Sequence, residues 1–270
     1  MNPSRPQLLV QCSTGALPSI CLGERSTPAT VAAAVQLLAW DAVELKLEGA
    51  WWSPSEFVEA ARRLVDAGVS VATVHAPNRF ERLLGFPGRT GEALALLQAC
   101  LATASTAGAS TLVLHGWDLR LPGFDPEQMV AGINACAEAS GQVTLSIEAL
   151  PGFTRMLPLI VQACPAVTWT ADTKWATVDG GWEKLFGLAG RIDNVHVQSR
   201  IEPVGENGVV LGQTEAGYCD VPATLARLAA SGCGGAITFE PNGVRPGEAA
   251  SVHRALRALA SALHALPPAP

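Results

Sequence analysis

Short runs rich in apolar and β-branched residues alternate with segments of helical character along the whole chain. Gln7–Cys12 reads as a first strand, followed by a Gly/Pro-containing loop and the Ala-rich helix Pro28–Leu38. Asp41–Leu47 is a second strand. Ser53 then offers a cap, Pro54 the first helical position and Glu56 an early acid, opening a helix to about Ala67. Gly68 closes that helix before the strand Val69–His75. A helix over Thr90–Ala107 ends at Gly108, and Ser110–His115 is the fourth strand.

The pattern continues with a helix over Pro126–Ala139, the strand Val143–Glu148, a helix near Thr154–Ala163 and the strand Val167–Asp172. A broken helical stretch around Asp172–Ala189 leads into the strand Ile192–His196, and a long Gly-rich loop is expected from about Gln198 to Tyr218. Asp220 caps a helix to Ala230, Ala236–Glu240 is the eighth strand, and Gly247–Ala265 is the last helix. Eight strands separated by helices in a chain of 270 residues predict one closed (β/α)8 TIM barrel over residues 1–265, with a loose tail at 266–270. A doubly wound open sheet is the rival. It fits less well, because no Gly-x-Gly-x-x-Gly follows the first strand.

The last four predicted barrel strands each run into a residue able to bind a metal: Glu148, Asp172, His196 and Glu240. Parallel barrel strands place such residues at one common face, where active sites of this architecture lie. Burying several carboxylates together is costly unless a cation neutralises them, and three carboxylates with one imidazole suit a divalent ion. Glu44 or Glu48 near the second strand, His75 on the third and His115 on the fourth extend this face. Each residue also has a plainer reading. Asp172 can simply cap the helix after it, and a strand-end histidine can be a hydrogen-bonded structural group. His253 and His264 fall in the last helix, away from the strand ends.

Composition narrows the class. Hydrophobic residues at 49% and charged residues at 16% fit a compact α/β protein. A net charge of -6 gives no general attraction to nucleic acid or anionic membrane, so neither is an expected partner. No signal-like or bilayer-spanning apolar stretch occurs, and the seven scattered cysteines include no C-x-x-C pair. Reduced, buried thiols in a cytoplasmic protein are the expectation. Trp51, Trp52, Trp117 and Trp175 cluster near predicted strand ends, where an indole can pack on the C–H face of a sugar or merely fill space under loops. Lys174, Arg200 and Arg79 are cationic candidates for a substrate phosphate or carboxylate, or solvated loop charges.

The ordered set of segments Val74–Pro77, Leu114–Gly116, Ala171–Ala176 and Leu211–Gly217, together with the four strand-end ligands, resembles the xylose isomerase-like barrel superfamily, in particular its sugar phosphate isomerase/epimerase branch. The likeness runs from the second strand to the last helix. It implies metal ligands at Glu148, Asp172, His196 and Glu240. Mn²⁺ is the most suitable ion, with Mg²⁺, Co²⁺ or Zn²⁺ as alternatives. One position departs from the pattern: Trp175 stands three residues after Asp172, where the family commonly has a histidine that grips substrate or a further metal. An indole N–H can donate one hydrogen bond but can neither ligate a metal nor shuttle a proton.

The resemblance implies an isomerase or epimerase of a small sugar, polyol or keto-acid, working through a metal-stabilised enediolate. Glu148 and Glu240 would exchange the proton. His75, His115, Glu44, Trp117, Lys174, Trp175 and Arg200 would contact substrate. A dehydratase of a cyclic keto-polyol would use the same site. His75, His115 and Glu148 also match the first-metal pattern of abasic-site endonucleases, but Trp175 and the lack of Asp-x-His after His196 count against that reading. A barrel that binds metal or sugar without turnover is the non-enzymatic alternative. Substrate identity and homo-oligomerisation stay open.

Overall fold

The computed structural model describes residues 8–38, 40, 42–47, 52–198, 200–204, 208–214, 217–240, 254, 256–258 and 260–261; for 198, 200–204, 208–214, 217 and 218 it describes the backbone alone. Glu48, Trp51, His253, His264 and the expected 266–270 tail lie outside the described residues, as does the Arg200 side chain.

Eight parallel strands close into a barrel. In chain order they are β1 (Leu9–Ser13), β2 (Ala42–Lys46), β3 (Ser70–His75), β4 (Thr111–Leu114), β5 (Thr144–Glu148), β6 (Thr168–Asp172), β7 (Ile192–Gln198) and, after an insertion, β11 (Ala236–Glu240). Neighbours run in sequence order from β1 to β7, and β11 closes the ring between β7 and β1. The expected strands therefore form, each within a residue or two of its expected limits.

Alternation explains the packing. Leu45, Val74, Ile147, Ala171, Val195 and Phe239 are buried on the outer wall, among the hydrophobic core. Each of these other than Ala171 contributes about 1.5–3 kcal/mol when fully buried. The covering helices are α1 (Leu17–Leu22), α2 (Pro28–Leu38), α3 (Pro54–Asp66), α4 (Thr90–Ala107), α5 (Pro126–Ala139), α6 (Phe153–Ala163), α7 (Thr173–Val178), α8 (Trp182–Phe186) and α9 (Val221–Ala230). Helix α3 shows how sequence sets both its start and its face. Ser53 Oγ accepts from the Glu56 amide while Glu56 Oε2 accepts from the Ser53 amide, a complete capping box. Phe57, Ala60, Ala61 and Leu64 recur at helical spacing and form its buried stripe. Gly235, just before β11, is obligatory for a different reason: a Cβ there would lie 1.8 Å from the Asp193 carbonyl oxygen.

Two expectations are corrected. The segment 198–218 is no simple loop: β8 (Arg200–Val204), β9 (Gly208–Thr214) and β10 (Gly217–Tyr218) pair antiparallel as a small separate sheet. Its glycines masked the alternation in Gly208–Thr214. The loop after β1 contains the short helix α1, whose Pro18 lies in the first turn and whose Gly23 ends it at φ 66°. Of the expected last helix, the described residues 254, 256–258, 260 and 261 are helical. Among the described residues, no helix is long and apolar enough to cross a membrane.

Candidate metal centre and active site

The alternation that turns apolar side chains outward turns polar ones inward, and β2, β3, β5, β6, β7 and β11 each carry two polar residues, spaced by two, at or near the carboxyl end. Lys46, His75, Glu148, Asp172, His196 and Glu240 occupy the outer level; Glu44, Thr73, Ser146, Thr170, Asn194 and Thr238 lie two residues earlier. Strand register then brings the levels together across seams: Lys46 pairs with His75, Asp172 with His196, and Thr238 with His196.

His196 is the hub. It is wholly buried, as are Glu44, His75 and Asp172, while Glu148 and Glu240 keep 3% and 8% exposure. The His196 Nδ1 atom lies 3.5 Å from Glu148 Oε2 and 3.6 Å from Glu240 Oε1. Ligand atoms of Glu148, Asp172 and His196 all fall within 4.8 Å of one another, and so do those of Glu44, His75, His196 and Glu240. The four strand-end residues anticipated from sequence thus fall in two groups that share His196.

Asp172 caps the helix that follows it, as one of its two readings expects. Its Oδ1 accepts from the Trp175 amide at 2.8 Å, capping α7. Its Oδ2 is buried and makes no hydrogen bond, and neither does His196 Nδ1. Two buried donor atoms left unsatisfied beside further carboxylates are costly unless a ligand engages them. Carboxylate oxygens and an imidazole nitrogen are the donor set a divalent cation takes, so the residues present fit one.

The electrostatics point the same way. Burial pushes the Asp172 carboxyl well above the usual carboxylate range, and the nearby Glu148 and Glu240 add to this. Burial also opposes charge on His196, but Glu44, Glu148 and Glu240 outweigh it and hold the ring well above the ordinary histidine value. Glu148 is likewise held well below its ordinary value, burial being outweighed by His115 and His196. Both shifts favour the protonated forms of Asp172 and His196, with which a cation would compete.

His75 and His115 converge on the same Glu148 oxygen. Their Nε2 atoms both lie 3.0 Å from Glu148 Oε2. Their rings meet edge to face at 5.0 Å, and the His75 ring stacks on that of His196 at 5.6 Å. On its other side His115 Nδ1 faces Glu81 Oε2 at 3.4 Å. Burial opposes charge on His115, yet Glu148, helped by Glu81, raises its pKa. His75 goes the other way: burial and then Lys46 lower it. Lys46 Nζ stands 2.9 Å from His75 Nε2.

Other candidates occupy different places. Trp117 is 1% exposed and belongs to the hydrophobic core, its indole N–H donated to the Pro151 carbonyl at 3.0 Å. Trp52 likewise donates to Ser26 O. Trp175 is half-buried against the core, with Lys174 Nζ 4.5 Å from the centroid of its ring. Glu44 lies beneath His196, facing its Nε2. Arg79 is exposed.

Lys46 and, apart from Glu44, the polar lower level are absent from the sequence-based expectations. A signal existed for both. Lys46 follows Glu44 by two, on the same strand face, and a Ser, Thr or Asn precedes His75, Glu148, Asp172, His196 and Glu240 by two inside otherwise apolar runs.

A closed barrel of eight parallel strands covered by helices is a (β/α)8 TIM barrel. The chain is similar in structure to D-allulose 3-epimerase from Methylomonas sp., with a TM-score of 0.68 and 14% identity over 95% of this chain and 99% of that one. It is similar to a xylose isomerase domain protein from Planctomyces limnophilus, with a TM-score of 0.63 and 18% identity over 97% and 99%. It is also similar to a family 2 AP endonuclease from Brucella melitensis, with a TM-score of 0.64 and 15% identity over 90% and 96%. No protein-family model matches the chain and no curated protein matches it in sequence, so at these identities the likeness establishes the fold.

Proposed function

We propose that this protein is a divalent-metal-dependent isomerase or epimerase of a small sugar, polyol or keto-acid. The observation that carries the reading is the approach of two carboxylates, Glu148 and Glu240, to the same His196 Nδ1 atom, at 3.5 and 3.6 Å. Moving a proton off one face of a carbon and returning it elsewhere needs two such groups. Glu148, Asp172, His196 and Glu240 would hold the ion, with Mn²⁺ the best match to mixed carboxylate and imidazole donors. When bound, it would supply positive charge to neighbouring substrate oxygens as a C–H bond adjacent to a carbonyl gives up its proton.

The chain's own residues supply the rest. Glu148 takes or returns the proton, with His115 beside it stabilising the carboxylate form. Glu240 serves the opposite face. Lys46, anchored on His75, offers its remaining N–H bonds to a substrate oxygen. The L-ribulose, D-allulose and D-psicose 3-epimerases among the structural neighbours support a ketose as the first substrate class to test.

The test is solvent exchange. Mn²⁺-loaded protein incubated with a panel of ketoses in D₂O should place deuterium next to the carbonyl, with a new epimer or isomer visible by NMR. Glu148→Gln and Glu240→Gln should each lose the exchange. Full exchange in either variant would sink the two-base reading, and loss of water from a cyclic keto-polyol would replace it with the dehydratase.

The endonuclease reading keeps one observation in its favour, since ligand atoms of His75, His115 and Glu148 lie within 4.8 Å of one another. Lys46 weighs against it, because an ammonium group already faces the His75 Nε2 that a first metal would need. Cleavage of an abasic duplex by metal-loaded protein would reverse this ranking.

A further inference from the structure

Beneath the four strand-end ligands the barrel is filled by hydrogen-bonding side chains, in place of the branched apolar residues that usually pack such interiors. Gln11, Glu44, Thr73, Asn194 and Thr238, from β1, β2, β3, β7 and β11, are all buried. Their hydrogen bonds have a determined direction. Gln11 Nε2 donates to Thr73 Oγ1 at 2.8 Å and to Thr238 Oγ1 at 2.7 Å. Each threonine hydroxyl passes its own proton onward, Thr73 to Glu44 Oε2 at 3.1 Å and Thr238 to Asn194 Oδ1 at 2.7 Å. That second bond fixes the Asn194 amide, whose Nδ2 donates to Glu44 Oε2 at 3.1 Å. Every arrow among these five residues ends on one carboxylate oxygen.

The remaining contact of that oxygen is His196 Nε2, at 3.1 Å. A carboxylate oxygen can only accept, so the Nε2 atom must carry a proton. The lone pair of the deprotonated ring then lies on Nδ1, the atom facing Glu148 and Glu240.

We infer that Glu44 is the positioning residue of the metal centre: held by a one-way network from five strands, it fixes His196 with Nε2 protonated and Nδ1 offered to the cation. This rests on the reading of His196 as a metal ligand. It differs from a general polar filling of the barrel in making a specific demand on one nitrogen. A carboxylate behind a ligating imidazole sets the ring's tautomer and raises its basicity, and losing such a partner typically costs 10–100-fold in metal affinity.

Two measurements test it. In Mn²⁺ titration calorimetry, Glu44→Gln should weaken binding by about 10–100-fold. Thr73→Val, which keeps the carboxylate but removes one of its donors, should weaken it less. In ¹⁵N NMR of histidine-labelled, Zn²⁺-loaded wild-type protein, with His196 assigned by His196→Gln, Nδ1 should carry the metal shift and Nε2 a bound proton. Zn²⁺ on Nε2, or a Glu44→Gln variant that binds Mn²⁺ as tightly as wild type, would overturn the inference. If wild type takes up neither ion, the metal reading falls. The wild-type spectrum of the metal-free protein at alkaline pH then decides the role of Glu44 separately: a protonated Nε2 upholds its grip on the ring, and a protonated Nδ1 refutes it.

Discussion

Lys46 and His75 face each other across one seam of the barrel, paired in register and joined by a 2.9 Å contact between Nζ and Nε2. His75 Nδ1 lies 2.8 Å from the Ala76 carbonyl, which can only accept, so its proton points there. Its Nε2 is thereby set between Lys46 Nζ and Glu148 Oε2, the latter 3.0 Å away. Replacing Lys46 with Met removes the like charge that helps hold the His75 pKa down. We expect His75 to titrate at higher pH in Lys46→Met, read from its ring-proton shifts. An unmoved titration would show that the two groups do not communicate.

Metal uptake should release protons. Asp172 is held well above the usual carboxylate range by burial, and His196 well above the ordinary histidine value by its carboxylate neighbours. A cation engages the deprotonated forms, so affinity for Mn²⁺ should tighten as pH rises from 6 to 8. Calorimetry in buffers of different ionisation enthalpy counts the protons released. Binding with no proton release would place the ion away from these two residues.

The metal-free protein should carry an acid-labile contribution from Glu44. Burial alone would raise its pKa, but His196 outweighs burial, aided by His75 and Lys46, and lowers it from 4.5 to about 2. A depressed folded-state pKa stabilises the fold above the unfolded value and loses that stabilisation as protonation sets in. The loss should therefore run from about pH 4.5 down to about 2. Urea unfolding at stepped pH should show a shallower decline in Glu44→Gln than in wild type over this window.

Thiol chemistry should be muted. Of the seven free cysteines, Cys21 is half-exposed and the rest are buried. Burial raises Cys136 to about 12 and lifts Cys12 and Cys100 as well. A thiol reagent at pH 8 should label the native protein at no more than the Cys21 site on the minute scale, and all seven cysteines once it is denatured. Rapid labelling of Cys100 in the native state would contradict the packing of α4.

The barrel is legible in the sequence because two strong signals agree. Alternation marked the barrel strands, and a side chain capable of ligation stood at the same end of each late one. What escaped had weaker signatures. The small antiparallel sheet was hidden by glycines that read as loop. Lys46 carries no such signature, because one lysine at a strand end looks like a solvated charge until the register sets it on His75. The polar layer was missed for a related reason. Thr73, Ser146, Thr170, Asn194 and Thr238 are ordinary strand residues one at a time, and only closure of the barrel turns their alternation into a shared interior.

That layer has a consequence for any attempt to divide the barrel. Glu148, Asp172, His196 and Glu240 all come from the second half of the chain, while Gln11, Glu44 and Thr73, which hold the His196 ring, come from the first. A C-terminal half-barrel would carry every anticipated ligand yet lack the carboxylate that orients the central one. The two halves of the chain are thus joined by the alignment of a single imidazole as well as by strand pairing, and neither inherits the site alone.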